Sequence, residues 1–176
     1  VTAIVPSGFD LDGRPVKLLS SGAAAVVLFF TATDCPISRR YEPEMLRLEA
    51  EFAAAHVEFW WVYPNPGDSA AVIRRHRESA TGSAHVLRDP DQSLTRWAGA
   101  TITPEAVVFV PERGTLRKVY LGRIDDRYLS FGRERPQAMH RELESAIAAL
   151  LAKMPVIPPG GPPVGCYIVP AGMASR

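Results

Sequence analysis

Residues 23–30, Ala-Ala-Ala-Val-Val-Leu-Phe-Phe, form the longest apolar run in the chain. A run of this length is far too short to cross a bilayer, which takes about 20 residues. It lies between Gly22 and the polar stretch Thr31-Ala32-Thr33-Asp34, so it reads as a buried strand. Cys35 and Pro36 follow at once and open a helix. Tyr41, Met45, Leu48 and Phe52 recur at helical spacing. Asp34 is placed to cap that helix, and Pro36 suits a first turn, where its missing N–H costs nothing.

The remaining elements fall around this unit. Residues 9–16 read as a hairpin turning at Asp12-Gly13. Residues 57–63 make a second buried strand, broken by Pro64-Asn65-Pro66-Gly67. Asp68 is expected to cap a helix reaching about residue 78. Residues 84–87 form a short strand, Asp89-Pro90-Asp91 a turn, and 92–97 a short helix. Residues 106–110 and 115–121 are strands joined at Pro111-Glu112-Arg113-Gly114, and a loop over 122–136 leads to a last helix over 137–152. Strands alternating with helices imply parallel pairing, and the terminal hairpin adds antiparallel strands. The predicted fold class is α/β, a mixed central sheet with helices on both faces and an N-terminal β-hairpin. It occupies residues 1–153 of 176. Residues 154–176 form a Pro/Gly-rich C-terminal extension that carries Cys166.

Twenty basic residues face nineteen acidic ones, for a formal net charge of +1. That balance provides no basic field for nucleic acid or an anionic membrane. The two cysteines, Cys35 and Cys166, lie too far apart in sequence to be a disulfide framework or a zinc spacing. No Gly-rich phosphate loop follows any strand, so no organic cofactor is expected.

A cysteine at a helix N-terminus meets unpaired N–H groups and the positive end of the macrodipole. Both favour the thiolate, the form that attacks disulfides and peroxides. Arg39 and Arg40 would add to this if they fold back, and the charge on Asp34 opposes it. Phe30-Thr31-Ala32-Thr33-Asp34-Cys35-Pro36-Ile37-Ser38, with Pro43 further along, resembles the active-site segment of the thioredoxin superfamily. Thr103-Pro104 resembles that family's cis-proline loop. The layout, with Leu87-Arg88-Asp89-Pro90 and the long extension, is similar to the redoxin (AhpC/TSA-like) branch over residues 5–152. The resemblance implies a thiol–disulfide oxidoreductase in which Cys35 is the nucleophile, Thr103 and cis Pro104 shape a docking face, and the sulfur is reachable. It implies a disulfide-bearing protein or a small thiol as substrate, a monomer or weak dimer, and a periplasmic or otherwise extracytoplasmic setting. A chain that starts at Val1 without Met reads as one that has lost an upstream segment, which together with the resemblance favours an exported bacterial protein.

The sequence departs from a dithiol motif at Ser38, which stands where a second cysteine would resolve the mixed disulfide. Three readings follow. Cys166 resolves it, since ten extended residues reach about 33–36 Å; a bridge over so long a loop would also stabilise by about 5 kcal/mol. Or Cys35 is a monothiol with Ser38 hydrogen-bonded to it. Or the chain is a peroxidase, though Ala32 stands where that family places a Thr or Ser. A further alternative is a copper- or partner-binding module on a redox-inactive scaffold, with Cys35, Cys166 and a histidine as ligands. Among His56, His76, His85 and His140 none shows ligand spacing. His76 and His140 read as solvated helix positions, and His85 lies beside an apolar strand. Trp60 and Trp61 are expected one on each side of the sheet, and Asp125 and Asp126 in solvent. Glu105, next to Pro104, is a candidate influence on the sulfur.

Overall fold

The computed structural model describes residues 4–19, 22–78 and 85–173. A hairpin, β1 (Gly8–Phe9) and β2 (Pro15–Val16), comes first. Its turn is tied by the Asp10 carboxylate, which accepts from the Asp12 and Arg14 amides. The apolar run becomes β3 (Ala25–Phe30), with every residue buried. Then follow α1 (Pro36–Phe52), a single 3-10 turn, β4 (Val57–Tyr63), α2 (Ala70–Arg77) and β5 (His85–Arg88). Ala84, the expected first residue of that last strand, lies outside the described residues. Next are α3 (Ser93–Ala98), β6 (Ile102–Thr103), β7 (Glu105–Glu112) and β8 (Thr115–Gly122). A small hairpin, β9 (Tyr128–Ser130) and β10 (Arg133–Glu134), interrupts the expected loop. The chain closes with α4 (Glu142–Leu151) and a two-residue strand, β11 (Cys166–Tyr167).

The main sheet has the order β2-β1-β5-β4-β3-β7-β8. Strands β3, β4 and β5 run parallel, and β7 and β8 add antiparallel partners on one side, as the hairpin does on the other. This is the mixed sheet that the alternation implied. Side chains of β3 alternate between two cores. Ala25, Val27 and Phe29 face α1, α2 and α4, meeting Met45, Leu48, Ile73 and Ile147. Val26, Leu28 and Phe30 face α3, meeting Leu94 and Ala98. Burying each of the larger side chains contributes about 1.5–3 kcal/mol, so the central strand is fixed in register from both sides. Trp61 enters the first core, and Trp60 packs half-buried against the second with its ring 4.5 Å from that of His85. Trp97 stacks on Phe109 at 4.5 Å.

Several local expectations are corrected. Asp68 does not cap α2; Ser69 does, accepting from the Val72 amide. The last helix starts at Glu142 rather than 137, because the Met139 and His140 amides are spent on the Asp126 carboxylate. Asp125 and Asp126 are accordingly buried, not solvated. Asp125 accepts from the Tyr41 hydroxyl at 2.5 Å and from the Arg127 amide. His140 precedes α4, and His76 is pinned to Glu42 at 2.6 Å with little of its ring exposed. Among the described residues no helix is long and apolar enough to cross a membrane.

The turn at Asp89 is a cap in its own right. Its buried carboxylate accepts from the Leu94 and Thr95 amides and from the Thr95 hydroxyl. It thereby satisfies donors that the start of α3 would otherwise leave open. Asp89→Ala should lower the unfolding free energy by about 2–3 kcal/mol, read from the midpoint of urea denaturation. An unchanged midpoint would remove this carboxylate from the account of the fold.

Candidate active site

Strand β3 cannot continue past Phe30, because the next residues are polar and the chain turns. The Thr31 amide still pairs with the Val62 carbonyl at 2.9 Å, extending the ladder by one bond. Thr33 is then anchored by Asp68, whose carboxylate accepts from both its amide and its hydroxyl. Arg39 donates from its guanidinium to the Thr33 carbonyl at 3.1 Å. With the loop fixed at both ends, the chain enters α1 with Cys35, not Asp34, at the N-cap. Cys35 has extended backbone angles, and its sulfur accepts from the Ser38 amide at 3.5 Å.

A sulfur in this position takes the place that a Ser, Thr or Asp oxygen usually fills at a helix start. Cys35 Sγ also lies 3.2 Å from the Thr103 carbonyl oxygen. The Thr103–Pro104 peptide bond is cis. Burial raises the Cys35 pKa, but hydrogen bonds from the Cys166 thiol and from Ser38 outweigh it, and the net shift is downward. Ser38 is fully buried; its amide reaches the Cys35 sulfur, while its hydroxyl oxygen has no hydrogen-bond partner.

The extension brings the second sulfur to the first. Strand β11 pairs antiparallel with β6, setting Cys166 opposite Thr103 and Tyr167 opposite Ile102. The Thr103 hydroxyl donates to the Cys166 carbonyl at 3.3 Å. Gly165 passes so close that a Cβ there would stand 2.0 Å from the Thr103 oxygen. Both cysteines are free thiols. Burial first, and then the neighbouring Cys35 sulfur, push the Cys166 thiol up to about 12. The two shifts run in opposite directions, so Cys35 is the sulfur that gives up its proton more readily.

One expectation needs correcting here. The sulfur of Cys35 is not reachable in this arrangement; its residue has 0% exposure. The cause is the docked extension, which packs Val164 and Cys166 against the core around Cys35. The condition on the arginines is not met: neither folds back to the sulfur. Arg39 holds Thr33, and Arg40 turns to Tyr128 and Glu134. The charge on Asp34 raises the Cys166 pKa. Glu105 is buried and committed to the Thr101 and Ile102 amides, so it supports the loop before Pro104. Among the described residues no group of three or more His, Cys, Asp or Glu side chains is gathered to hold a metal ion.

Sequence reasoning did not find Asn65 and Gln92, which hold the extension beyond Cys166. They sit in segments that read only as a strand-breaking turn and the start of a short helix. The faint signal was an amide side chain inside each turn, and it gains meaning only once the extension is docked.

The AhpC/TSA family matches residues 3–121. No curated protein matches the chain. Among solved structures, an uncharacterized conserved protein from Geobacillus kaustophilus is 25% identical with a TM-score of 0.78, over 96% of this chain and 89% of that one. A hypothetical protein from Sinorhizobium meliloti 1021 is 21% identical with a TM-score of 0.78, over 92% and 88%. A secreted disulfide oxidoreductase from Mycobacterium tuberculosis, homologous to E. coli DsbE, is 16% identical with a TM-score of 0.56, over 85% and 96%. The fold is thioredoxin-like, as the sequence implied.

The shared proton gives a titration with a definite sign. Thiolate absorbance near 240 nm should rise at a midpoint below the ordinary thiol value of about 8.5. Cys166→Ala removes the S–H donor, so the remaining Cys35 midpoint should climb. Cys166→Ser keeps a donor and should stay near the wild-type value. Equal midpoints for the Ala and Ser variants would exclude Cys166 as the donor.

Proposed function

The chain belongs to the AhpC/TSA family, and from that premise we propose that it is a thiol–disulfide oxidoreductase-like redoxin in which Cys35 attacks and Cys166 resolves. The observation that carries this reading is the pairing of β11 with β6, which sets Cys166 opposite Thr103 and packs it into the core around Cys35 at the start of α1. Ser38 cannot close a disulfide, so the second thiol is supplied by the extension instead.

The cycle begins with β11 lifting from β6, because Cys35 is sealed while the strand is docked. The Cys35 thiolate attacks one sulfur of a substrate disulfide. The other substrate sulfur leaves as a thiolate and takes up a proton, and a mixed disulfide remains on Cys35. Forming that bond removes the Cys35 charge, one of the causes that keep Cys166 protonated. With that charge gone, Cys166 ionises more readily and attacks the Cys35 sulfur, releasing the second substrate thiol. The substrate gains two electrons and two protons, and the protein holds a Cys35–Cys166 disulfide until a dithiol reductant restores it. The substrate is a disulfide-bearing protein or a small disulfide. A periplasmic or otherwise extracytoplasmic setting goes with this reading, since a cycling disulfide persists more readily there.

Trapping tests the assignment of roles. Cys166→Ser, given a disulfide substrate, should accumulate a covalent adduct on Cys35 visible by intact mass. Wild type should release the substrate and lose two hydrogens in mass as its own bridge forms. Cys35→Ser should do neither. If wild type accumulates the adduct as Cys166→Ser does, Cys166 is not the resolving thiol.

A further inference from the structure

Strand β11 is only two residues long, and such a pairing is weak by itself. The extension is nevertheless held well beyond it, by groups that touch neither sulfur in the hydrogen-bond network. The Ile168 amide donates to the Thr101 carbonyl at 3.0 Å. The Val169 amide then donates to Asn65 Oδ1 at 3.0 Å, and the Ala171 amide donates to Gln92 Oε1 at 3.0 Å. Gln92 Nε2 in turn donates to the Val169 carbonyl, and to Pro64 O at 3.1 Å. Both amide side chains are buried, and each comes from a different turn, Asn65 after β4 and Gln92 before α3.

Two features show that these side chains read the backbone of the extension and not its side chains. Every bond they make to residues 169–171 goes to a main-chain N–H or C=O. The side chains there point outward, with Val169, Pro170 and Ala171 all exposed. Gln92 also occupies the left-handed region, φ 58°, which is uncommon for a residue with a Cβ. In that conformation its amide faces the extension while its own N–H stays bonded to Asp89 O at 2.9 Å.

We propose that Asn65 and Gln92 are positioning residues that clasp the backbone of residues 169–171 and so hold Cys166 against Cys35. The clasp acts through the extension, and it rests on the reading of Cys166 as the resolving thiol. When it closes, Cys166 is presented to Cys35; when it opens, Cys35 is uncovered for substrate. Losing one of its bonds shifts the balance toward the open form and weakens the Cys35–Cys166 disulfide.

The test uses full-length protein equilibrated with glutathione buffers of graded ratio, quenched in acid, alkylated and weighed. Asn65→Ala and Val169→Pro each delete one end of the same hydrogen bond. Ala171→Pro does so at the neighbouring bond, and Gln92→Ala removes that bond together with those to the Val169 and Pro64 carbonyls. Each should lower the equilibrium constant for the disulfide about tenfold, which is about 30 mV for a two-electron couple. Val169→Ala and Ala171→Ser keep the amide and should stay within twofold of wild type. Combining Asn65→Ala with Val169→Pro should be no worse than the weaker single variant, while Asn65→Ala with Ala171→Pro should multiply. The proline variants alter only the extension, so a folding defect in the domain does not obscure the answer. A wild-type constant for Val169→Pro, or multiplying effects for Asn65→Ala with Val169→Pro, overturns the clasp and leaves the redox reading standing. If wild type forms no Cys35–Cys166 disulfide in any buffer, the redox reading fails and the clasp fails with it.

Discussion

The burial of β3 on both faces governs what surrounds it. Six consecutive apolar side chains from Ala25 to Phe30 are shared between two cores. No polar residue can be accommodated along the strand without an unsatisfied group in a dry interior. The chain therefore has to turn where polarity begins, at Thr31, and the turn is held by Asp68 and Arg39. Cys35 reaches the start of α1 as the end point of that turn. Its placement is inherited from the strand rather than created by the helix.

At that point the local physics pulls in two directions. Removal from water favours a neutral thiol, while donors aimed at the sulfur favour a charged one. Neither wins for both cysteines at once, because ionising one sulfur raises the cost of ionising the other. The outcome is an ordered pair, with Cys35 the sulfur favoured to ionise first. Ser38 supports this arrangement through its backbone amide, which donates to the Cys35 sulfur, and its hydroxyl cannot form a disulfide with it.

The parts of the fold that were legible in the sequence are those whose cause is local. The run at 23–30, the helical period from Tyr41 to Phe52 and the second apolar strand each carry their own signature, and each formed. What was not legible depends on groups distant in sequence. Asp125 and Asp126 look like solvated charges until Tyr41 and the 139–140 amides are brought to them. Asp34 and Asp68 look like caps, but a sulfur and Ser69 take those roles. The site divides along the same line. Cys35, Ser38, Thr103 and Pro104 could be named from short motifs. That Cys166 would lie beside Cys35 and also seal it follows from the docking of β11, which no periodicity encodes.

The connector between α4 and β11 has a consequence of its own. Pro158, Pro159, Pro162 and Pro163 restrict the backbone there, and Pro159 is wedged against Gly122 while the Gly160 amide is held by Glu142. A proline-rich spacer behaves as a semi-rigid rod, not a random coil. A strand released from such a rod explores a small volume, so its thiol stays at an effective concentration on the order of millimolar or above. Freely diffusing thiols in the surroundings must exceed that figure to compete for the same sulfur.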